Sequence, residues 1–525
     1  MHAPCSRTAS ELLAEQADRT PDALAVIAGA GTVTFAELRA RSARIAGALR
    51  TRGIRRGDAV GILINNRVEW LEIFFGAAAL GAIVVPLSTW SKANELDFLL
   101  ADSGIKCLFA LANFGGQDFA GDIATLRAGG RHPQLERVVL VDAPPRTGFE
   151  AYVDYRQGPP LESLPPGEGA SAADTLVVLY TSGSSSRPKS VPLQHFGVIE
   201  NGFNIGERQG LKPGDRVLTA IPLFWSYGAA NALPATFTHG ASLVLQGRFE
   251  PGEALDLIEK HGCTALYTLP AMTNALLAHP AFKPERTHTL RTGVTIGAPQ
   301  DVLKTAQLLG AAEICNIYGS TETYGNCCVT PHQWSLEKRA HGQGPPLPGV
   351  RLRIRHAETG ALVGPGETGE VEVTGYLMPG YRGDSARHNG DVMTGDGWFR
   401  TGDLGSLDAD GDFHYAGRSS EMIKRSGINV SPAEVEEALQ QHPGVGLAGV
   451  TARADADKGE AIVAFVVARP GAQLSAADLI AHCRARLSGY KVPDDVRLTD
   501  ALPLTPTGKL MRRELRALAE KQEQA

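Results

Sequence analysis

Short apolar runs alternate with helical patterns along most of this chain. Runs at 59–64, 83–87, 106–111, 137–141, 175–180, 216–220, 242–245 and 265–269 have the length of buried strands. Such alternation predicts α/β layers built on largely parallel sheets. The most apolar stretch, 73–87, is broken by Gly76, Gly81 and Pro86. It falls short of the roughly 20 residues that span a bilayer, so it reads as a buried helix followed by a strand. A connector rich in proline, glycine and acidic residues runs from 152 to 174. Between 350 and 415 the texture changes to short strands and turns such as Asp408-Ala409-Asp410-Gly411-Asp412, which predicts a β-rich subdomain.

A boundary is expected near 417–421. Beyond it, Ser431-Pro432-Ala433-Glu434 predicts a helix with serine as N-cap and proline at its first position. Strands at 445–451 and 461–467 and a helix at 475–487 follow, enough for a small α+β domain. The Lys/Glu/Gln-rich tail after Leu518 reads as a frayed helix end. The expected architecture is α/β: a large N-terminal domain, 1–420, of layered α/β subdomains plus the β-rich subdomain, then a small α+β domain, 421–525.

Composition narrows the class without naming a function. A chain of 525 residues that is 43% hydrophobic and 21% charged fits a globular protein with a large core. A net charge of −6 gives no general attraction to nucleic acid or to anionic membranes. Seven cysteines without metal-ligand spacing indicate reduced thiols and a cytoplasmic setting, and adjacent Cys327-Cys328 reads as packing. The N-terminus lacks the apolar core of a signal peptide.

The first chemical signal is Tyr180-Thr181-Ser182-Gly183-Ser184-Ser185-Ser186-Arg187-Pro188-Lys189-Ser190. It follows a strand-like run and precedes a helix expected from about 194. A small hydroxyl-rich turn between strand and helix aims backbone N–H groups at phosphate oxygens, and the lysine adds a movable cation. From Gly183 onward it nearly spells the phosphate-binding pattern G-x-x-x-x-G-K-S, with Pro188 where the second glycine belongs, so a P-loop NTPase competes at this point.

Four later motifs change that picture: Asn316-Ile317-Tyr318-Gly319-Ser320-Thr321-Glu322, Gly397-Trp398-Phe399-Arg400-Thr401-Gly402-Asp403-Leu404-Gly405, Gly417-Arg418-Ser419-Ser420-Glu421-Met422-Ile423-Lys424-Arg425-Ser426-Gly427, and Pro503-Leu504-Thr505-Pro506-Thr507-Gly508-Lys509. In this order, over nearly the whole chain, the set closely resembles the acyl-adenylate-forming superfamily of acyl- and aryl-CoA synthetases, peptide-synthetase adenylation domains and beetle luciferases.

The resemblance implies activation of a carboxylic acid by ATP to an acyl-adenylate, then transfer of the acyl group to the thiol of CoA. It implies nucleotide contacts from Thr181, Ser182, Gly183, Ser184, Ser185, Lys189, Tyr318 and Gly319, with the Tyr318 ring against adenine. Asp403 would hold both ribose hydroxyls, which suits a carboxylate that accepts two hydrogen bonds, with Arg418 nearby. Glu322 matches the Mg2+ ligand, and Thr321 stands beside it in the catalytic motif. Lys509 matches the mobile lysine that meets the carboxylate and α-phosphate, where a cation opposes the repulsion of two anions. Glu421 occupies the pivot about which the small domain rotates, in place of the usual aspartate. Lys424, Ser426 and Gly427 would line the CoA tunnel. The acyl pocket falls to Trp225, Tyr227, Gly228, Gly297, Ala298 and Tyr324. Trp225 stands where amino-acid-activating relatives carry an aspartate, which favours an apolar or ring-containing acid.

Two departures bear on activity. Ser186 and Ser190 replace glycines usual in the phosphate loop. If Ser186 must adopt a glycine-only conformation, the cost is of order 1–3 kcal/mol, about ten- to a hundredfold in rate. The expectation is an acyl-CoA synthetase acting on ATP, CoA and a small carboxylic acid. One alternative is an adenylation-impaired enzyme that takes a preformed acyl-adenylate from a separate adenylating partner. Others are a stand-alone adenylation enzyme loading a carrier protein, and a non-catalytic nucleotide-binding regulator. The sequence does not fix the acid or the oligomeric state.

Overall fold

The computed structural model describes residues 3–29, 31–144, 146–181, 188–425, 428–455, 458–487, 489–505 and 508–521, with backbone only at 420, 428 and 429. The eight expected strands are present as Ala59–Leu63, Ile83–Pro86, Ile105–Ala110, Arg137–Leu140, Thr175–Thr181, Arg216–Thr219, Ser242–Leu245 and Ala265–Tyr267. Their interior positions bury both faces, as parallel strands under helices must; every residue of Ala59–Leu63 and Ser242–Leu245 is buried. The apolar stretch after Asn66 forms the buried helix Val68–Ala79 followed by strand Ile83–Pro86.

These strands lie in two sheets. A seven-stranded sheet runs Lys189–Gln194, Thr175–Thr181, Ile83–Pro86, Ala59–Leu63, Ile105–Ala110, Arg137–Leu140, Glu150–Ala151. It is parallel except for the pair at its first edge. An eight-stranded sheet has a parallel centre, including Ser242–Leu245, Arg216–Thr219, Ala265–Tyr267, Thr292–Thr295 and Cys315–Tyr318, and an antiparallel strand at each edge.

The first edge of the seven-stranded sheet corrects one expectation. Residues 182–187 lie outside the described residues, but the chain on either side is a β-hairpin: Thr181 pairs with Lys189 and Tyr180 with Ser190. Residues 182–188 therefore lie between two paired strands, and the helix His195–Gln209 begins only after the second strand. The strand-to-helix geometry of a P-loop NTPase is absent here.

Packing divides the chain into two compact units: Met1–Thr268, Met272–Arg351 and Val373–Phe399 in the first, and Leu269–Ala271, Leu352–Glu372 and Arg400–Ala525 in the second. Strands Arg351–Arg355, Gly369–Thr374, Phe399–Leu407 and Phe413–Arg418 form a four-stranded sheet in the β-rich stretch. The second unit also holds a five-stranded sheet around Val445–Asp455 and Gly459–Ala468, with helices Pro432–Gln440 and Ala476–Arg484. Ile423, Val435, Leu439, Val450, Ile462 and Leu479 are buried in its core. Ser431 stands at the N-cap position of Pro432–Gln440, but its hydroxyl donates to the Ala416 carbonyl at 2.6 Å rather than capping the helix. The final helix, Arg512–Lys521, covers the start of the expected tail. Among the described residues no helix is long and apolar enough to cross a membrane.

Candidate active site

The strands Arg216–Thr219, Ala265–Tyr267, Thr292–Thr295 and Cys315–Tyr318 are parallel neighbours, so their carboxyl ends share one edge of the sheet. In open α/β sheets that edge is where ligands bind. The segments leaving it include 222–228, 296–298 and 319–324, which carry the expected acyl-pocket and metal residues.

Turn 222–228 is tightly held. The buried Asn66 side chain grips it on both sides, donating to the Ile221 carbonyl and accepting from the Leu223 N–H, each at 2.8 Å. The Trp225 N–H donates to the Pro222 carbonyl at 3.1 Å. A Cβ on Gly228 would stand 2.4 Å from the Pro222 carbonyl oxygen, so glycine is required for this close approach. The chain then enters the π-helix Tyr227–Ala232, a geometry that recurs at functional sites. The buried Tyr227 hydroxyl is committed to the carbonyls of Thr268 and Val294, at 3.1 and 3.0 Å.

An aromatic cluster surrounds Trp225. Trp90 meets Trp225 edge-on, with centroids 5.0 Å apart and planes at 83°, and meets Phe224 edge-on at 5.2 Å. Phe224 is buried, Trp225 half-buried and Trp90 exposed. No carboxylate pairs with this cluster among the described residues. Gly297 and Ala298 are half-buried, and the Ala298 N–H donates to Asp301, whose carboxyl burial pushes up.

The segment 318–324 follows its strand in a compressed turn. Tyr318 is largely buried, and a Cβ on Gly319 would lie 2.5 Å from the Asn326 Cα and the Gly325 carbonyl oxygen. The Thr321 hydroxyl donates to the Ser226 hydroxyl at 3.0 Å, linking segment 318–324 to turn 222–228. Glu322 is half-buried; its Oε1 accepts from the Tyr381 phenol at 2.8 Å, and its carbonyl accepts from the Met378 N–H at 2.9 Å. Its Oε2 has no hydrogen-bond donor among the described residues. A carboxylate with one oxygen anchored and the other open fits a hard cation.

Tyr324 departs from the expected pocket wall. It is the one described non-glycine residue with positive φ, 57°. That left-handed turn carries the ring into the core, fully buried, where its hydroxyl accepts from the Gln194 N–H at 3.1 Å. A Cβ on Gly197 would meet the ring at 2.4 Å. Burial pushes its phenol up to about 12. It supports the turn from behind and presents no surface to a substrate.

Of the phosphate-loop residues, Ser182, Gly183, Ser184, Ser185 and Ser186 lie outside the described residues. Thr181 and Lys189 face each other across the hairpin, and the Lys189 ammonium lies 5.1 Å above the Tyr381 ring. Ser190 is a strand residue without positive φ, so a serine in place of the usual glycine costs no backbone strain here; the strain expected at Ser186 falls outside the described residues. It is buried, donates its N–H to the Ser385 hydroxyl at 2.9 Å, accepts from the Arg382 N–H at 3.1 Å, and hydrogen-bonds the Tyr180 phenol. That phenol in turn donates to Asp102 at 2.8 Å.

In the second unit, Asp403 and Arg418 are register partners on adjacent strands, with Arg418 Nε 2.8 Å from Asp403 Oδ1. Glu421 pairs with Arg512 at 2.6 Å, and Arg512 also grips Glu436 bidentately at 2.7 and 3.0 Å. Lys424 is exposed and its N–H donates to Glu460 at 2.7 Å; Ser426 and Gly427 lie outside the described residues. Lys509 is exposed on a small hairpin, where its carbonyl accepts from the Thr505 N–H at 2.7 Å. Asn66, Trp90, Ser226, Tyr381 and Arg512 are the site neighbours that the motifs did not disclose.

Residues 13–382 match the AMP-binding enzyme family and residues 434–509 its C-terminal domain. A feruloyl-CoA synthase from an Amycolatopsis species is 35% identical over 506 residues, covering 95% of this chain and 97% of that one. An indoleacetate–CoA ligase from Aromatoleum aromaticum is 31% identical, covering 97% of this chain and 98% of that one. Among solved structures, the anthranilate CoA ligase AuaEII in complex with anthranoyl-AMP aligns with a TM-score of 0.87 at 27% identity over 99% of both chains. ATP-bound MatB from Rhodopseudomonas palustris aligns with a TM-score of 0.86 at 28% identity, covering 98% of this chain and 99% of that one. The chain belongs to the AMP-binding enzymes of the acyl-adenylate-forming superfamily, within the acyl-CoA synthetase branch of acid–thiol ligases.

Proposed function

We propose that this protein converts an aromatic carboxylic acid to its CoA thioester in two steps. The acid's carboxylate attacks the α-phosphorus of ATP, and the bond to pyrophosphate breaks. The CoA thiolate then attacks the acyl carbon and AMP leaves. The observation that carries the substrate class is the edge-to-face cluster of Trp90, Phe224 and Trp225 at the acyl turn. Aromatic edges and faces pair favourably with a ring, by about 0.5–1.5 kcal/mol beyond burial, and no charge is offered to an α-amine. Relatives named for feruloyl, indoleacetate and anthranilate substrates support the same class.

In this reading Trp225, Tyr227 and Gly228, with Gly297 and Ala298, frame the ring, and Tyr324 acts only as backing. Tyr318 and Gly319 receive adenine and Asp403 receives the ribose. Thr181, Lys189 and the intervening turn at 182–185 receive the phosphates. Glu322 would hold Mg2+, which, when bound, neutralises phosphate charge. Lys509 offsets the repulsion between the carboxylate and the α-phosphate. Residues 421–525 then turn about Glu421, so that Lys424, Ser426 and Gly427 face CoA. Both half-reactions are assigned to this chain because Glu322 and Lys509, the two groups assigned to adenylation, are both present, and Ser190 adds no backbone strain.

The test is a panel of aryl, arylalkanoic and arylpropenoic acids against medium-chain and dicarboxylic acids, with ATP, Mg2+ and CoA, reading the thioester by chromatography. The reading requires kcat/KM for an aromatic acid to exceed that for aliphatic acids of similar size by about tenfold or more. A preference for aliphatic acids overturns the substrate class. Formation of acyl-AMP without consumption of CoA favours a carrier-protein thiol.

A further inference from the structure

We propose that Tyr381 is a positioning residue that keeps Glu322 and Lys189 apart and aims both at the nucleotide. This rests on the proposed role of Glu322 as the metal ligand. The phenol donates to Glu322 Oε1 at 2.8 Å, a charge-assisted bond that restrains the carboxylate's rotation and leaves Oε2 without a donor among the described residues. The face of the same ring holds the Lys189 ammonium at 5.1 Å. A lysine and a glutamate this close to one ring would satisfy each other if they met, and both would be lost to ATP and its cation. They form no ion pair among the described residues. The tyrosine holds the carboxylate by one oxygen and gives the lysine a partner weak enough to leave.

The ring itself is fixed. Tyr381 is buried, and Asn389 grips its backbone twice, accepting from its N–H at 2.7 Å and donating to its carbonyl at 3.1 Å. The next residue, Arg382, bridges to Ser190, one position beyond Lys189. The segment that presents the ring is thus stitched to the strand that presents the lysine, and Ser190, far from disturbing the loop, is the stitch.

Partners that orient a metal ligand typically matter ten- to a hundredfold in metal affinity. The test is calorimetric binding of ATP with Mg2+, ATP with EDTA, and AMP, to wild type, Tyr381→Phe, Tyr381→Leu and Glu322→Gln. Tyr381→Phe keeps the ring and should weaken Mg·ATP about tenfold while leaving metal-free ATP and AMP unchanged. Tyr381→Leu removes the spacer as well and should weaken metal-free ATP too, as Lys189 closes on Glu322. A merely structural role would lower all three ligands together in Tyr381→Phe. If Tyr381→Phe binds Mg·ATP within about twofold of wild type while Glu322→Gln weakens it, the positioning role is overturned and the metal ligand stands. If Glu322→Gln leaves Mg·ATP unchanged, both are overturned.

Discussion

The two compact units hold their functional segments by different physics. In the first, turn 222–228 and segment 318–324 are braced mainly by neutral hydrogen bonds and close backbone contact: Asn66 across residues 221–223, Gly228 against Pro222, Thr321 on Ser226, and Asn389 around Tyr381, with the Tyr381 phenol on Glu322 the one charge-assisted bond among these. In the second, the corresponding segments are held by charge: Asp403 with Arg418, Glu421 with Arg512, and the Lys424 N–H on Glu460. Buried neutral contacts are short-ranged and indifferent to salt. Ion pairs with one partner near the surface are worth about 0–1 kcal/mol and exchange readily. On the proposed function, a pocket that recognises one ring in every turnover suits the first kind of support. Segments proposed to serve two successive reactions suit the second.

The largest effect should come from the side chain assigned to a single step. Lys509→Ala is expected to slow acid-dependent ATP–pyrophosphate exchange by about 10²–10³-fold, the usual loss for a group that stabilises developing charge. Thioester formation from synthetic acyl-AMP and CoA should stay near wild type. Equal losses in both assays would break the assignment of the Lys509 hairpin to adenylation.

Next come changes to the neutral scaffold. Gly319→Ala forces a Cβ to 2.5 Å from the Asn326 Cα, and overpacking of this kind costs about 1–3 kcal/mol. Asn66→Ala strands the Ile221 carbonyl and the Leu223 N–H, again about 1–3 kcal/mol, and should raise KM for the acid. Thermal unfolding should show both losses unchanged between low and high salt. A loss that shrinks in salt would contradict the neutral account of the first unit.

Arg512→Lys sharpens the other side of the comparison. Lysine cannot serve Glu421 and Glu436 with one planar fork, so about 1 kcal/mol should go, and the deficit should diminish as salt screens the wild-type pairs. The ratio of the two half-reaction rates should move with it. An unchanged ratio would separate this ion-pair cluster from the pivot proposed at Glu421.

The smallest effect is a titration. His195 is buried, its Nδ1 accepts from the Ala9 N–H at 3.1 Å, and burial lowers its pKa to about 4. Unfolded, it takes up a proton near pH ~6.5. Its contribution is therefore complete above pH ~6.5 and is lost as pH falls from there towards about 4. Melting temperature against pH should decline over that window in wild type and decline less in His195→Asn. Identical profiles would remove His195 as an acid-labile point of the first unit.

Legibility in the sequence followed from how local each signal was. Strands buried on both faces must be continuous apolar runs, so the central strands could be read one by one. The edge strand Lys189–Gln194 could not: it mixes polar and apolar residues and contains Pro192, which an edge tolerates and a central strand does not. Missing that strand made residues 180–190 read as a phosphate loop running straight into a helix, when Ser190 is a paired strand residue. Tyr318, Glu322, Asp403 and Lys509 could be singled out because each stands in a contiguous motif whose spacing lies within one segment. Asn66 acts on a carbonyl 155 residues away, Tyr381 on a carboxylate 59 residues away, and Arg512 on Glu436 76 residues away, so no local pattern marks them. Tyr324 failed for a different reason: a single left-handed residue reverses its side chain, which adjacency in sequence does not disclose.

The central claim, that one chain carries both half-reactions for an aromatic acid, is tested most directly by running them apart on the same purified protein. One arm measures acid-dependent ATP–pyrophosphate exchange with the preferred aromatic acid. The other gives the matching synthetic aroyl-adenylate and CoA. The account predicts exchange at a rate comparable to thioester formation, with AMP and pyrophosphate released in equal amounts in the complete reaction. Rapid consumption of the adenylate without measurable exchange would contradict it, and would return the weight to Ser186 and an adenylating partner.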